Sequence, residues 1–350
     1  AALAENDVDR AQEELNKAVE LNPNLPGAFL GLSRTALAKG KPDSAQKQAE
    51  KALALDPKIH DGRLQLGTAL WKLGKLDEAI AELNQAKEDD PRSVSIPVTL
   101  GAVALEKGDL DAATANLLGN ALQKEPGNAD ANFYMAQVKH KRAEYTQAIE
   151  SMKKAIDHAP RRPEFHYVLG NIYLDARKGN EAVDEWKAAL ALDPEYADAL
   201  EALGKNALDG NRQKVAVDYF NKVLQAAPSR TRTWALIGDA HTASNAWQKA
   251  IDAYLKALGA EPGYHEVYPR LANAYVEKKK YPEAITWYRK AVQTDPKDLT
   301  SWYNLGLTLK TKGQDKEAIE AFDEFLKLNE DPKMKKEVSD IIFDLKQGAQ

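Results

Sequence analysis

The chain contains no cysteine, so it can form no disulfide, no thiolate nucleophile and no cysteine-ligated zinc or iron–sulfur centre. That absence leaves the compartment open between cytoplasm and periplasm or envelope, because exported and cytoplasmic proteins alike can lack cysteine. Long apolar runs are missing too: nothing approaches the roughly 18 residues a membrane crossing needs, and mean hydropathy is −0.55. No long stretch carries charge of one sign. The 48 Lys and Arg are interspersed with 53 Asp and Glu for a net charge of −5, which leaves no basic stripe for a phosphate backbone and argues against nucleic acid as a partner. A glycine-rich phosphate loop is absent as well, since GTALWKLGKL at 67–76 has the wrong spacing and no hydroxyl after its lysine. The six histidines, at 60, 140, 158, 166, 241 and 265, are scattered, with no HExxH and no local acid pair of catalytic type. The sequence therefore predicts a protein that is not an enzyme and carries no metal and no cofactor. No signal peptide is visible in AALAENDVDR, which reads as helix and is also how a processed exported chain would begin.

Against these absences stands one strong presence, a period. At 350 residues a single core would ordinarily split into domains, but a repeat array escapes that limit. Nine prolines follow helix-ending segments such as LNP, LDP and TDP: Pro23, Pro57, Pro91, Pro126, Pro160, Pro194, Pro228, Pro262 and Pro296. Their separations are 34, 34, 35, 34, 34, 34, 34 and 34. Placing each proline at position 32 of a 34-residue unit gives a partial unit at 1–25 and full repeats at 26–59, 60–93, 94–128, 129–162, 163–196, 197–230, 231–264, 265–298 and 299–331, with a capping helix and tail over 332–350.

The repeats align in columns. Position 20 is alanine in all nine, from Ala45 through Ala250 to Ala318. Position 8 is always small: Ser33, Gly67, Gly101, Ala136, Gly170, Gly204, Gly238, Ala272 and Gly306. Position 27 is alanine in seven, Val223 in one and Phe325 in the last, while larger apolar residues hold positions 7 and 24, as in Leu203 with Phe220. Within a repeat these sites space as i, i+3/i+4, i+7 on two successive helices, the pattern of amphipathic helix rather than strand. Gly40, Gly74, Gly108, Asn211, Asn245 and Gly313 mark the turn between the two helices, because Gly and Asn accept the left-handed conformation that ends a helix. Two antiparallel helices can cross closely where both contribute small side chains. Repetition of one crossing angle predicts an all-α, right-handed superhelix.

Columns that are small at 8, 20 and 27, aromatic or aliphatic at 4, 7, 11 and 24 and proline at 32 resemble the tetratricopeptide repeat family. WALIGDAH at 234–241, YPRLANAY at 268–275 and WYNLGLTL at 302–309 carry the resemblance most fully, and it covers nearly the whole chain. The alanine-rich, LDP-punctuated repeats look bacterial. The resemblance implies a scaffold or adaptor that binds a peptide segment or a partner protein in a concave groove lined by the first helix of each pair. Two other readings remain open: an assembly factor of a bacterial envelope machine for pilus, secretion or polysaccharide export, and the recruiting part of a larger enzyme whose catalytic domain lies elsewhere.

Departures from regularity locate special features. The 35-residue repeat carries its extra residue in its second helix, where AATANLLGNAL predicts a π-bulge or kink near Gly119. Pro97 stands near the start of the first helix of that repeat, and Pro269 slightly deeper in a later one. Residues 8–20 align with a second helix, with Ala11, Leu15 and Ala18 at positions 20, 24 and 27, preceded only by AALAEN, so more chain or a partner is expected to cover that end. Val338, Ile341, Ile342 and Leu345 form one stripe of a capping helix.

On the first helices, positions 2, 5, 9 and 12 lie off the packed 4, 8, 11 stripe and are expected to face the groove. The groove candidates are Leu30, Leu64, Val98, Phe133 and Tyr167 at position 5, Leu37, Trp71, Leu105 and His140 at position 12, and Asn171 at position 9. Position 2 adds an acidic edge of Asp61, Asp130, Glu164, Asp198 and Glu266. The expected occupant is an apolar or amphipathic segment with basic flanks. Neither of two specialised subgroups fits: the one gripping a C-terminal carboxylate needs lysine at position 5, which this chain lacks. The asparagine ladder of the glycosyltransferase subgroup at position 6 is reduced to Asn304.

Overall fold

The computed structural model describes residues 5–348, all helix and connecting turn, with no strand among them. Two compact bodies are distinguished, Ala1–Glu185 and Trp186–Gln350. The first contains α1 (Glu5–Leu21), α2 (Pro26–Ala38), α3 (Pro42–Leu55), α4 (Gly62–Lys72), α5 (Leu76–Asp89), α6 (Ser95–Lys107), α7 (Leu110–Asn116), a π-helical turn (Leu117–Ala121), α8 (Leu122–Lys124), α9 (Ala129–Lys141), α10 (Tyr145–His158) and α11 (Pro163–Asp175). Helix α12 (Gly179–Leu192) contains the boundary. The second body continues with α13 (Ala197–Asp209), α14 (Gln213–Ala226), α15 (Thr233–Ala243), α16 (Trp247–Ala260), α17 (Val267–Glu277), α18 (Tyr281–Thr294), α19 (Leu299–Thr311), α20 (Asp315–Leu328) and α21 (Pro332–Gly348). Each body is a stack of antiparallel helix pairs, the arrangement of an α-solenoid. No helix among the described residues is long and apolar enough to cross a membrane. Of the AALAEN stretch, residues 1–4 lie outside the described residues.

The small columns mark the crossings. All nine position-20 alanines have no solvent exposure. Ser33 Oγ donates to the Ala45 carbonyl at 2.9 Å, so positions 8 and 20 meet backbone to side chain. A Cβ on Gly67 would stand 3.3 Å from the Ala79 carbonyl oxygen and 2.6 Å from Leu83 Cγ. Position 24 thus lies over the position-8 glycine, and the large residue fills the space that the missing side chain leaves. In the first full repeat the sizes are exchanged, with Ser33 at position 8 facing a repeat whose position 24 is only Ala49, and both are buried.

The turns inside the pairs follow one design. In all nine, an N–H closes on the carbonyl five residues back at 2.8–3.0 Å, from Lys41 to Ala36 through Gln314 to Leu309. This bond caps the first helix and needs a left-handed residue just before the donor. Gly and Asn supply it in six turns, but Ala143, Arg177 and Lys279 hold φ of +59°, +61° and +58° in the other three. The fixed length of the turn imposes the conformation even where the residue resists it.

Between pairs, the prolines work with the residue before them. Asp56, Asp193 and Asp295 each accept from the N–H two residues on at 3.0 Å, which fastens the chain as it leaves the helix. Position 4 closes the same junction from the other side: Asn132 Nδ2 donates to the Pro126 carbonyl at 2.9 Å, and Trp302 Nε1 to that of Pro296 at 3.0 Å.

The π-turn falls at Leu117–Ala121. A π-turn holds about one residue more than an α-turn, so the extra residue is absorbed locally. Leu117 and Ala121 both remain fully buried. Pro97 and Pro269 are each the third residue of their helix, because α17 begins only at Val267. Neither therefore interrupts a helix interior. At the far end, α21 lays Val338, Ile342 and Leu345 against a cluster that includes Phe322 and Phe325.

Candidate functional site

A run of rings crosses the first helices of the N-terminal body. Trp71, near the end of α4, reaches past α6 to Tyr134 on α9, with ring centroids 6.4 Å apart and edge to face. Tyr134 meets Phe133 at 5.2 Å, and Phe133 stacks on Phe165 of α11 at 4.7 Å and 23°. The Arg162 guanidinium covers Phe165 at 4.2 Å. Such contacts are worth about 0.5–1.5 kcal/mol each beyond burial, so the strip is held firmly before any ligand arrives. Trp71 Nε1 donates to Glu106 Oε2 at 2.5 Å, and the Lys72 ammonium lies 3.7 Å from the Trp71 ring centroid.

The ten expected groove residues divide. Trp71, Phe133, His140, Tyr167, Asn171 and Leu37 are half-buried, each presenting part of its side chain. Leu30, Leu64, Val98 and Leu105 are instead buried, at 7, 8, 8 and 5% exposure. Leu30 packs with Phe29 and Ala52, Leu64 with Leu66 and Leu83, and Val98 and Leu105 with Leu117 and Met135. All four stand at positions 5 or 12, as Trp71 and Phe133 do, so it is the packing around each helix and not the position within it that covers them.

Three contributors are additional to those ten: Tyr134 and Glu106, which complete the surroundings of Trp71, and Leu174, 47% exposed at position 12 of its repeat. Tyr134 sits beside Phe133 in the sequence, but a position-6 side chain reveals its contact with a ring two repeats away only in three dimensions. Burial, reinforced by the Asp130 carboxylate, pushes its phenol up to about 12. It stays neutral at physiological pH.

The acidic edge is internally neutralised over much of its length. Asp61 pairs with Arg34 at 2.9 Å, Asp130 and Glu164 share Arg162, and Asp198 holds Arg230 at 2.6 Å. His140 Nε2 lies 2.7 Å from Asp175 Oδ2. At these position-2 sites each carboxylate thus already has an arginine beside it.

A cleft of about 390 Å³ lies at the loop leading into α4, lined by Ile59, His60, Asp61, Arg63, Asp90 and Ile96 among others. Its ionic groups also engage one another: Arg63 Nε lies 3.2 Å from Asp89 Oδ2, and His60 lies 3.3 Å from Asp61. Among the described residues no group of three or more His, Asp or Glu side chains converges to hold a metal ion.

Family models described as tetratricopeptide repeat match residues 30–94, 104–172, 167–231 and 299–332, and one described as TPR repeat matches 272–313. No curated protein matches in sequence. Among solved structures, a chain of the APC/C heterotetramer Cut9–Hcn1 is similar at a TM-score of 0.61 and 19% identity, over 87% of this chain and 60% of that one. This chain thus spans less than two thirds of that relative's length. Yeast Tom70 is similar at 0.45 and 16%, over 98% of this chain and 93% of that one, and MamA at 0.42 and 25%, over 48% and 92%. The likeness to Cut9–Hcn1 concerns the fold, which is one typical of protein–protein interaction. With the crossings, the turns and the matched models in agreement, the chain belongs to the tetratricopeptide repeat family.

Proposed function

We propose that the chain is a scaffold that binds an apolar segment of a partner protein along the ring strip of its N-terminal body. The observation that carries this reading is the half-buried row of Trp71, Phe133 and Tyr167 on first helices, continued by Tyr134 and by the exposed Leu174. Rigid aromatic side chains of this kind lose little conformational freedom on binding, and they are the residues most often found to dominate interface energies.

The test is affinity purification of partners with the intact chain, followed by quantitative binding of the strongest one to Trp71→Ala. Loss of about 2 kcal/mol or more of affinity is expected for an anchor residue. Retention of the partner at undiminished affinity, with the variant's helicity intact, would remove the strip from the binding site.

A further inference from the structure

Around the ring strip most charges have a partner, and two exposed cations do not. Lys107 and Arg142 stand at position 14 of their repeats and donate back to the preceding second helix, to Asp77 and Asp111, each at 2.5 Å. One position earlier, roughly 100° round the helix, Lys72 and Lys141 are exposed, and neither has a carboxylate within ion-pair distance among the described residues. Lys72 rests on the face of Trp71, the centre of the strip. The nearby carboxylates are committed: Asp61 to Arg34, Asp130 and Glu164 to Arg162, Asp175 to His140. Glu106 is held by the neutral indole of Trp71, so it offsets one of the two cations at most.

We infer that the segment accepted by this strip carries Asp or Glu side chains flanking its apolar residue, with Lys72 and Lys141 as the groups that read them. The inference rests on the binding reading above and reverses the sign of the flanks expected from the position-2 column. Unpaired surface cations beside an apolar strip favour an acidic partner through encounter rate and register, and they penalise a basic one by like-charge juxtaposition.

The test uses the full chain, immobilised, and three degenerate peptide pools. All share a randomised Leu, Phe and Trp centre and are acetylated and amidated, so that only side chains differ in charge; the flanks are Asp/Glu, Ser/Gln or Lys/Arg. Retained peptides are quantified by mass spectrometry. The acidic pool should be retained about tenfold over the basic pool, with the preference shrinking as salt rises. The double variant Lys72→Glu with Lys141→Glu should invert the order of the acidic and basic pools. Equal retention of the three pools, or preference for the basic one, with retention still dependent on Trp71, overturns the acidic-flank inference and leaves the strip as a binding site. Failure to retain any pool, or retention indifferent to Trp71→Ala, overturns both.

Discussion

Gly204 leaves the ring of Phe220 no room for even one methyl group: a Cβ there would stand 2.5 Å from Phe220 Cε1 and 2.8 Å from Cδ1. Phe220 is fully buried and cannot swing away. Gly204→Ala should therefore destabilise the C-terminal body by about 1–3 kcal/mol through overpacking, whereas Gly259→Ala, with nothing within 4 Å of the new methyl, should be neutral or stabilising by up to about 1 kcal/mol. Chemical denaturation of the two variants side by side checks the contrast, and equal effects would refute the packing assigned to position 8.

Ala250 offers a second probe of the same crossing. It is fully buried in a cluster with Tyr254, Ala257 and Leu271. Ala250→Phe should cost at least about 1–3 kcal/mol. An unchanged thermal transition would show that the two helices do not approach each other there.

The turns at Ala143, Arg177 and Lys279 hold left-handed backbone without the residue that tolerates it. Replacing any of the three with glycine should stabilise by about 0.5–1 kcal/mol, the relief of a strained φ less the added freedom of the unfolded chain. The reverse change, Gly313→Ala at φ +71°, should cost a similar amount. Melting temperatures of the four single variants decide it.

His241 carries a pH signature. Burial first, and then the Lys249 charge, hold its imidazole below the usual value. The unfolded chain thus takes up a proton before the folded one does, so stability falls as pH drops through the ordinary histidine range near 6.5 and continues to fall until the folded imidazole is protonated. His241→Gln should flatten part of the decline between about pH 7 and 5. A parallel pH dependence in the two proteins would show that His241 contributes none of it.

Much of the architecture was legible because it depends on side-chain volume, which is written in each repeat. Ala45 to Ala318 at position 20 needed no coordinates to be recognised as contact points. The inserted residue near Gly119 could be located because three residues, rather than the two of the other repeats, separate the column residues Leu117 and Ala121. The turns were only partly legible: Gly40 or Asn211 advertise a left-handed conformation, but Ala143 and Lys279 do not, and there the length of the loop prevails over local preference.

The groove was less legible, for a physical reason. Within one helix, positions 5 and 12 look amphipathic in either direction, and only the neighbouring hairpin determines that Leu30, Leu64, Val98 and Leu105 are covered while Trp71 and Phe133 stay partly open. Charge shows the same limit. The sequence displays Asp61, Asp130 and Asp198 as an acidic row, but their partners Arg34, Arg162 and Arg230 stand 27 to 32 residues away. By itself the sequence determined the period, the helix pairs and their crossings, since volume and spacing act within a repeat. Which faces meet, and which charges are left over for a partner, the tertiary structure decided, because those depend on contacts between repeats that no single one contains.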